Sequence, residues 1–394
     1  MSIESVAGRR DLHSPSDGPS VALTAAREHA NLYSAKAAEH ERLGRLSEEA
    51  LTALRKANLF GLLTPRELGG LEAAPCDALE VFAEVSHADG ATGWVLTTCA
   101  FAAGLAGVYL SDGAASEVFQ GGVPIIAGAG APNGRARQVA DGYAFSGRWS
   151  YGSGILHASF THNGGFMVDA AGEIRRDLGP HIFVAPIGEA QLEDEWNVLG
   201  LRGTGSVDYE IAGCVIARGF EHPVMGARNK RGGPVCTIGM AGMSAIAHTG
   251  FFLGIGRRVL DELIEVATGG PGRARTLADS ESFQEGFGMA EAHYRAARAL
   301  VFENWRAVEA RLASGRAVEP SHVSAVHLAM HQMAWASTAA AEFAYKAGGG
   351  VSLRDGPLQR AFRDTLAGRQ HIRVSPAVLR SAARDLLAGP KSRA

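Results

Sequence analysis

The sequence is poor in cysteine. Its 394 residues contain four cysteines that are widely spaced and form no CxxC pair: Cys76, Cys99, Cys214 and Cys236. Disulfide-stabilised domains and zinc sites both need clustered or regularly spaced cysteines. This spacing argues against both, and we expect the protein to work in a reducing cytoplasm.

The sequence also lacks an excess of charge of either sign. It has 38 Lys and Arg against 41 Asp and Glu, which gives a formal net charge of -3. Proteins that bind nucleic acid or an anionic membrane surface usually present a basic face or tail. We therefore expect neither nucleic acid nor a membrane as a partner.

Long runs of large apolar side chains are missing too. Residues 1–20 contain arginines but no apolar segment behind them, which predicts a mobile arm rather than a signal peptide. The uncharged stretches 93–110 and 236–256 are long enough to cross a bilayer, but Gly, Ala, Thr and Cys dilute both. We predict that they are buried core helices.

Common nucleotide and metal motifs are incomplete. The segment GAGAPNG at 128–134 contains Pro132 and precedes a hairpin, so it is not a Rossmann loop and no NAD(P)H site is expected. His327 and His331 have a spacing that metals use, but Leu328 stands where a zinc protease has Glu and no acidic third ligand is evident. We expect no metal.

The character of the sequence changes twice, and this predicts an α+β fold. After the arm, residues 21–121 have helical periodicity, whereas 122–230 consist of short β-type runs, including a hairpin about Asp141 and Gly142. Residues 231–394 return to long amphipathic helices. We predict an N-terminal helical domain, a middle antiparallel β-barrel or sandwich domain and a C-terminal four-helix bundle.

Several segments resemble the acyl-CoA dehydrogenase superfamily: NVLGLRGTGSVDYEIAGCVI, LSEEALTALRKANLFGLLTPRELGG, HADGATGWVL and GRWSYGSG. The resemblance extends over nearly the whole chain and implies a flavin site. The cofactor-binding residues that it implies are Trp149, Ser150, Arg202, Thr204, Ser206, Arg273, Arg275, Gly348, Gly349, Gly350 and Arg363. In this family a neighbouring subunit lends the Gly-rich segment, so a homo-oligomer, by family a tetramer, is also implied.

The segment RDTLAGRQHIRVSPAVL separates two activities within the superfamily. Ala367 occupies the place of the carboxylate base of the dehydrogenases, and a methyl group accepts no proton. The segment instead resembles the ending of the flavin-dependent monooxygenases of this fold, such as dibenzothiophene monooxygenase and the phenol-type hydroxylases. The resemblance implies that Ser153 and His371 face the flavin, with His87 as a third catalytic candidate.

This branch uses reduced FMN or FAD and O2, by way of a C4a-hydroperoxyflavin, to hydroxylate a small aromatic, phenolic or heterocyclic substrate or to oxidise N or S. A separate NAD(P)H:flavin reductase is implied as a partner. Two alternatives remain open at this point. One is a dehydrogenase or oxidase that acts on an acyl thioester with a relocated base, and the other is a flavin-free, non-redox member of the fold.

Overall fold

The computed structural model describes residues 19–269 and 276–388. The first block is helical: α1 (Val21–Leu43), α2 (Glu48–Lys56), α3 (Pro75–Ala88), α4 (Gly90–Tyr109) and α5 (Asp112–Phe119). Asp89 caps α4, because its carboxylate accepts from the backbone N–H of Thr92 at 3.0 Å. The predicted arm lies almost wholly outside the described residues.

Both uncharged stretches form helices that are enclosed by the rest of the protein. The helices Gly90–Tyr109 and Pro234–Thr268 are long and apolar enough to cross a membrane, yet 89% and 83% of their most apolar windows are buried inside the protein. A helix that is apolar on every side is typical of a protein core. The prediction of core helices is confirmed.

The middle block is one eight-stranded sheet. Its strands are β1 (Ile126–Ala127), β2 (Gly134–Val139), β3 (Gly142–Trp149), β4 (Phe160–Val168), β5 (Pro180–Pro186), β6 (Gln191–Leu192), β7 (Tyr209–Ala217) and β8 (Glu221–Pro223). They run in the order β6-β7-β3-β2-β4-β5-β8, with β1 paired to β4. The sheet is mixed rather than purely antiparallel, because β4 pairs in parallel with both β1 and β2.

The predicted hairpin joins β2 to β3, but its turn lies one residue earlier than expected. Val139 pairs with Gly142, so the turn residues are Ala140 and Asp141. Gly142 is required for a different reason: a Cβ there would lie 2.0 Å from the carbonyl oxygen of Ile216 on β7. The glycine thus permits close strand packing.

The last block contains five helices in the described part of the chain: α6 (Gly239–Thr268), α7 (Glu281–Ala313), α8 (Pro320–Gly348), α9 (Pro357–Arg369) and α10 (Pro376–Ala388). Helix α8 packs on α6, α7, α9 and α10, while α3 and α4 of the first block pack on α6. The two helical blocks therefore share one core. The end of α9, the start of α4 and the loop before β7 meet where this core contacts the sheet.

Candidate active site

Trp94 and Ser153 join the first helical block to the sheet. The indole Nε1–H of Trp94, on α4, donates to Ser153 Oγ at 3.0 Å, and both residues are buried. Ser153 lies in the turn after β3. This turn rests directly on α4, because a Cβ at Gly154 would lie 2.7 Å from Cys99 Sγ. The hydroxyl of Ser153 is thereby held at the Nε1 edge of the Trp94 indole.

His371 approaches the same indole from the C-terminal bundle. Its ring stacks on that of His248, on α6, with 4.3 Å between centroids, and meets Trp94 edge-on at 5.5 Å. The end of α9 comes this close because residue 368 is glycine: a Cβ there would lie 2.6 Å from Cε1 of Phe251. Ser153 and His371 thus both contact Trp94, although they are far apart in sequence.

His371 is a neutral imidazole at neutral pH. Burial, followed by the nearby His248 and Arg373, lowers the pKa of His371 well below its ordinary value. Its Nδ1 accepts from the backbone N–H of Arg373 at 3.4 Å. A neutral imidazole that accepts at Nδ1 carries its proton on Nε2, so His371 has one N–H donor to offer.

A chain of buried hydroxyls lies behind Ser153. The Oγ atoms of Ser206 and Ser153 are 2.7 Å apart, and Thr204 Oγ1 lies 2.6 Å from Ser206 Oγ. Thr204 also donates to the carbonyl oxygen of Leu201 at 2.7 Å, and this oxygen accepts in addition from Trp196 Nε1 at 3.2 Å. The chain therefore ends on a carbonyl that has a second donor.

The direction of these hydrogen bonds leaves the proton of Ser153 free. Ser206 Oγ donates to Ser153 Oγ, and Trp94 Nε1 donates to the same oxygen, so Ser153 accepts twice within the protein. A serine hydroxyl carries a single proton. That proton is therefore available to a ligand.

Helix α9 fixes the loop that carries this chain. Asp364 accepts from the backbone N–H of Leu201 at 2.5 Å, and Arg363 donates from Nη1 to the carbonyl oxygen of Leu199 at 3.0 Å. Burial raises the pKa of the Asp364 carboxyl to about 7. One helix thus positions both His371 and the hydroxyls behind Ser153.

Trp149 is not where the resemblance implied. Its ring is 1% exposed and stacks between Phe145 and Tyr209, and its Nε1–H donates to the carbonyl oxygens of Ala131 and Gly164 at 3.0 Å each. The side chain is enclosed in the sheet's core and presents no surface to a cofactor. The implied contact between Trp149 and the flavin ring is therefore wrong.

The exposed aromatic ring of this segment belongs to Tyr151. It is 68% exposed and has a φ of 67°, which a residue with a Cβ rarely adopts. Ser150 beside it is also exposed and donates to Asp208 at 2.8 Å. Of the two, Tyr151 offers the larger surface to a flat ligand.

Two other implied residues, His87 and Arg363, are paired with carboxylates. His87 pairs with Asp261 at 2.9 Å. Asp261 lies 13 residues beyond His248 on α6, which is about 20 Å along a helix. Arg363 is paired with Glu41 at 2.7 Å, whereas Arg202 is exposed. His87 is thus not part of this site.

The remaining implied residues are buried, exposed or outside the described part of the chain. Thr204 and Ser206 are buried, so they support Ser153 rather than form the surface. Gly349 and Gly350 are exposed, follow α8 and have nothing within 4 Å of an added Cβ, while a Cβ on half-buried Gly348 would meet Ser352 Oγ at 2.3 Å. Arg273 and Arg275 fall outside the described residues.

Sequence reasoning did not single out Trp94, His248 or Phe251. A signal existed for His248, because it is the one side chain in the stretch 236–256 whose ordinary pKa lies near neutral pH. An ionisable group in a core helix marks a functional candidate. No comparable signal identified Trp94 or Phe251, since aromatic residues in apolar helices usually fill the core.

Within the described ranges, no group of three or more His, Cys, Asp or Glu could hold a metal ion. His327 Nε2–H donates to the carbonyl oxygen of Ala241 at 3.3 Å, and His331 Nε2 lies 3.4 Å from Arg369 Nη2. Each histidine of the i, i+4 pair thus has its own protein partner. The spacing of these two residues reflects packing in the bundle.

Comparison with known proteins identifies several relatives. Residues 246–376 match the family model of the acyl-CoA dehydrogenase C-terminal domain. The indole-3-acetate monooxygenase of Pseudomonas putida is 29% identical, with 86% of each chain covered. The flavin-dependent monooxygenase oxygenase subunit HsaA of Mycobacterium tuberculosis is 35% identical over 42% of this chain and 41% of that protein. The crystal structure of HsaA from M. tuberculosis superposes with a TM-score of 0.85 at 25% identity, over 94% of this chain and 97% of that one.

Proposed function

The chain belongs to the acyl-CoA dehydrogenase superfamily, and we propose that it is the oxygenase component of a two-component flavin-dependent monooxygenase. Its substrate is a small aromatic, phenolic or heterocyclic molecule, hydroxylated on carbon or oxidised on N or S. One observation carries the proposal: a hydroxyl, Ser153, and a neutral imidazole, His371, contact the same indole. Among the described residues, no carboxylate contacts either group.

The residues around Ser153 suit a flavin. Tyr151, at 68% exposure, and Leu199, at 62%, present large apolar surfaces on the segments that flank the hydroxyl chain. A flat ring system would cover such surfaces and bring polar edge atoms to the Ser153 hydroxyl. We infer that Ser150, Tyr151, Ser153 and Arg202 hold the ring end of reduced FMN or FAD, and that Gly349 and Gly350 admit the other end of a cofactor.

When bound, reduced flavin supplies the two electrons with which one atom of O2 enters the substrate and the other leaves as water. Ser153 donates a hydrogen bond towards the ring when the chain through Ser206 points outward. The Nε2–H of His371 donates to a hydroxyl oxygen of the substrate. Trp94, held by both residues, excludes water from the space between them.

A separate reductase must deliver the reduced flavin. HsaA is described as an oxygenase subunit, which supports a two-component arrangement here as well. The segment 128–134 supports it too, since it leads into strand β2 rather than into a helix that could bind a pyrophosphate. We infer an NAD(P)H:flavin reductase as partner and, from the free cysteines at 76, 99, 214 and 236, a cytoplasmic location.

We also infer that the chain forms a homo-oligomer, by resemblance a tetramer. The C-terminal block exposes several large apolar side chains: Met289, Trp335, Tyr345, Val351 and Leu353. Exposed apolar groups on a helical bundle support burial against another subunit. Light scattering tests this: the double variant Trp335→Glu, Leu353→Glu should reduce the molar mass, and a wild-type monomer would contradict the inference.

The function is tested with purified protein, a flavin reductase, NADH and O2. We expect a hydroxylated aromatic product that requires all four, and a loss of roughly tenfold to a hundredfold in product with Ser153→Ala or His371→Asn. The matched control is Ser159→Ala, which removes an exposed hydroxyl from the same connection between β3 and β4. Formation of an enoyl thioester from an acyl-CoA, with no oxygenated product, would instead establish the dehydrogenase alternative. Failure to bind FMN, FAD or their reduced forms would favour the flavin-free alternative.

A further inference from the structure

Arg373 lies beside the candidate active site in the 3-10 turn Ile372–Val374. Its backbone N–H donates to Nδ1 of His371, the residue that begins the turn. Arg369 stabilises the end of the turn, because its Nη1 donates to the carbonyl oxygen of Val374 at 2.6 Å. The position of Arg373 relative to His371 is therefore fixed by the backbone.

The turn that carries Arg373 packs against α6 and α8, the helices of His248 and His327. The charge of Arg373 acts on both histidines. Burial is the main cause that lowers the pKa of His248 to about 4, and Arg373 lowers it further. Burial and then Arg373 act in the same direction on the pKa of His327. Arg373 also acts on the pKa values of His162 and His371, for which burial is again the main cause.

No protein group within residues 19–269 and 276–388 neutralises Arg373. Its guanidinium makes no hydrogen bond or ion pair there, and burial alone lowers its pKa. Two other half-buried arginines of the bundle are paired with carboxylates: Arg257 with Glu291 at 2.8 Å, and Arg258 with Glu262 at 2.7 Å. Arg369 instead donates to the carbonyl oxygen of Val374. A half-buried guanidinium without an anion is unfavourable, so this one is suited to an anion that arrives with a ligand.

We propose that Arg373 binds the carboxylate of an aromatic acid and so selects anionic substrates for the reaction at His371. This rests on the proposed function. A planar guanidinium binds a carboxylate through two parallel hydrogen bonds, and the four neutral histidines offer no competing negative charge. The aromatic part of the substrate would then lie towards His371, which is two residues before Arg373, and towards Trp94, whose ring contacts that of His371.

The same anion chemistry occurs in the phosphate of a flavin, so the experiment must separate the two sources. Wild type, Arg373→Gln, Arg373→Lys and the control Arg380→Gln, an exposed arginine on α10, are saturated with FMN. Calorimetry then measures binding of two acid and amide pairs: indole-3-acetate with indole-3-acetamide, and 4-hydroxyphenylacetate with 4-hydroxyphenylacetamide. In a parallel arm, FMN and riboflavin are titrated into each protein.

We expect wild type and Arg380→Gln to prefer the acid in at least one pair. Arg373→Gln should weaken acid binding roughly tenfold to a hundredfold and leave amide binding unchanged, while Arg373→Lys should retain most of the preference. Absence of an acid preference in wild type for both pairs would overturn the proposal. So would equal weakening of acid and amide, or weaker binding of FMN but not of riboflavin.

Failure of the proposed function can be recognised separately. Wild type and Arg380→Gln, supplied with reductase, NADH and O2, should oxygenate neutral indole at similar rates. If neither protein oxygenates indole or any of the acids, the proposed function fails whatever the binding data show. If indole is oxygenated but acids bind no better than amides, only the assignment of Arg373 fails.

Discussion

Ser206 and Ser153 share a hydrogen bond of 2.7 Å between their Oγ atoms. This is the contact through which Ser206 acts on the candidate active site. Through this bond, the orientation of one buried hydroxyl decides whether the proton of its neighbour is free. Ser206 is 2% exposed, so it cannot itself be the group that meets a cofactor. It acts as a positioning residue for Ser153.

Ser206→Ala should therefore lower the yield of hydroxylated product without preventing flavin binding. Loss of one buried hydrogen bond of about 1 kcal/mol corresponds to a roughly fivefold to tenfold lower ratio of product to NADH consumed, with the difference released as hydrogen peroxide. The measurement is product and peroxide per NADH, beside a flavin titration. Ser159→Ala, at an exposed serine of the same β3–β4 connection, is the matched control, and identical ratios in the two variants would remove the role of Ser206.

The pattern of this sequence predicts the blocks of the fold well because periodicity is a local property. Helical spacing in 231–394 and the hairpin before Trp149 are both visible within a few residues. The mixed pairing of β4 is not visible, because register between distant strands depends on the packing of the whole sheet.

The candidate site, too, combines features that local sequence predicts with features that depend on packing. Ser153 and His371 stand in recognisable segments, and the structure places both against Trp94. Trp149 stands in an equally recognisable segment, but alternation along β3 turns its ring into the core, and the positive φ at Tyr151 turns the next aromatic ring outward. Side-chain direction at the end of a strand depends on such turns, which composition does not reveal.

Buried histidines should make the protein sensitive to acid. Burial lowers the pKa of His222 to about 4, so as the pH falls below about 6.5 the unfolded state binds a proton before the folded state does. The contribution of this histidine to stability is thus present above about pH 6.5 and is lost as the pH falls, at about 1.4 kcal/mol per pH unit. His162 and His248 act in the same direction.

His222→Gln tests this away from the active site. Urea unfolding between about pH 5 and 6 should show that the free energy of unfolding falls less steeply with decreasing pH in the variant than in wild type. The two slopes should differ by up to about 1.4 kcal/mol per pH unit, the contribution of one histidine. Between about pH 7 and 8 the two slopes should coincide, because the imidazole is then neutral in both states. Parallel curves over the whole range would show that His222 is protonated equally in folded and unfolded protein.

Two buried carboxyls near α4 should respond oppositely to neutralisation. Burial raises the pKa of Asp364 to about 7, so its charged form is disfavoured in the fold. For Asp89 burial acts in the same direction, but hydrogen bonds from His40 at 3.0 Å and from Thr92 outweigh it and lower the pKa. Ionisation of Asp364 therefore lowers the free energy of unfolding as the pH rises from about 4 to 7. Ionisation of Asp89 raises the free energy of unfolding.

Asp364→Asn should raise the free energy of unfolding at about pH 8, by roughly 1 to 3 kcal/mol, because the amide oxygen still accepts from Leu201 and no charge is buried. Asp89→Asn should lower it by a similar amount, since the variant loses the partner of His40. Chemical denaturation at about pH 8 and pH 5 measures both. Destabilisation of the same size in both variants would contradict the raised pKa of Asp364.

We expect the side chain of Tyr151 to contribute to flavin binding and not to the stability of the fold. Its φ of 67° costs a residue with a Cβ about 1 kcal/mol that glycine does not incur. Tyr151→Gly should thus unfold at an equal or higher urea concentration, yet it should bind FMN roughly tenfold more weakly, because an apolar surface against the ring is lost. Tyr151→Phe, which keeps both the strain and the ring, should match wild type in both measurements.

If Tyr151→Gly were more stable and bound FMN as tightly as wild type, the ring would have no contact with the cofactor. The wall of the flavin site would then have to be formed by Leu199 and the loop that α9 holds in place.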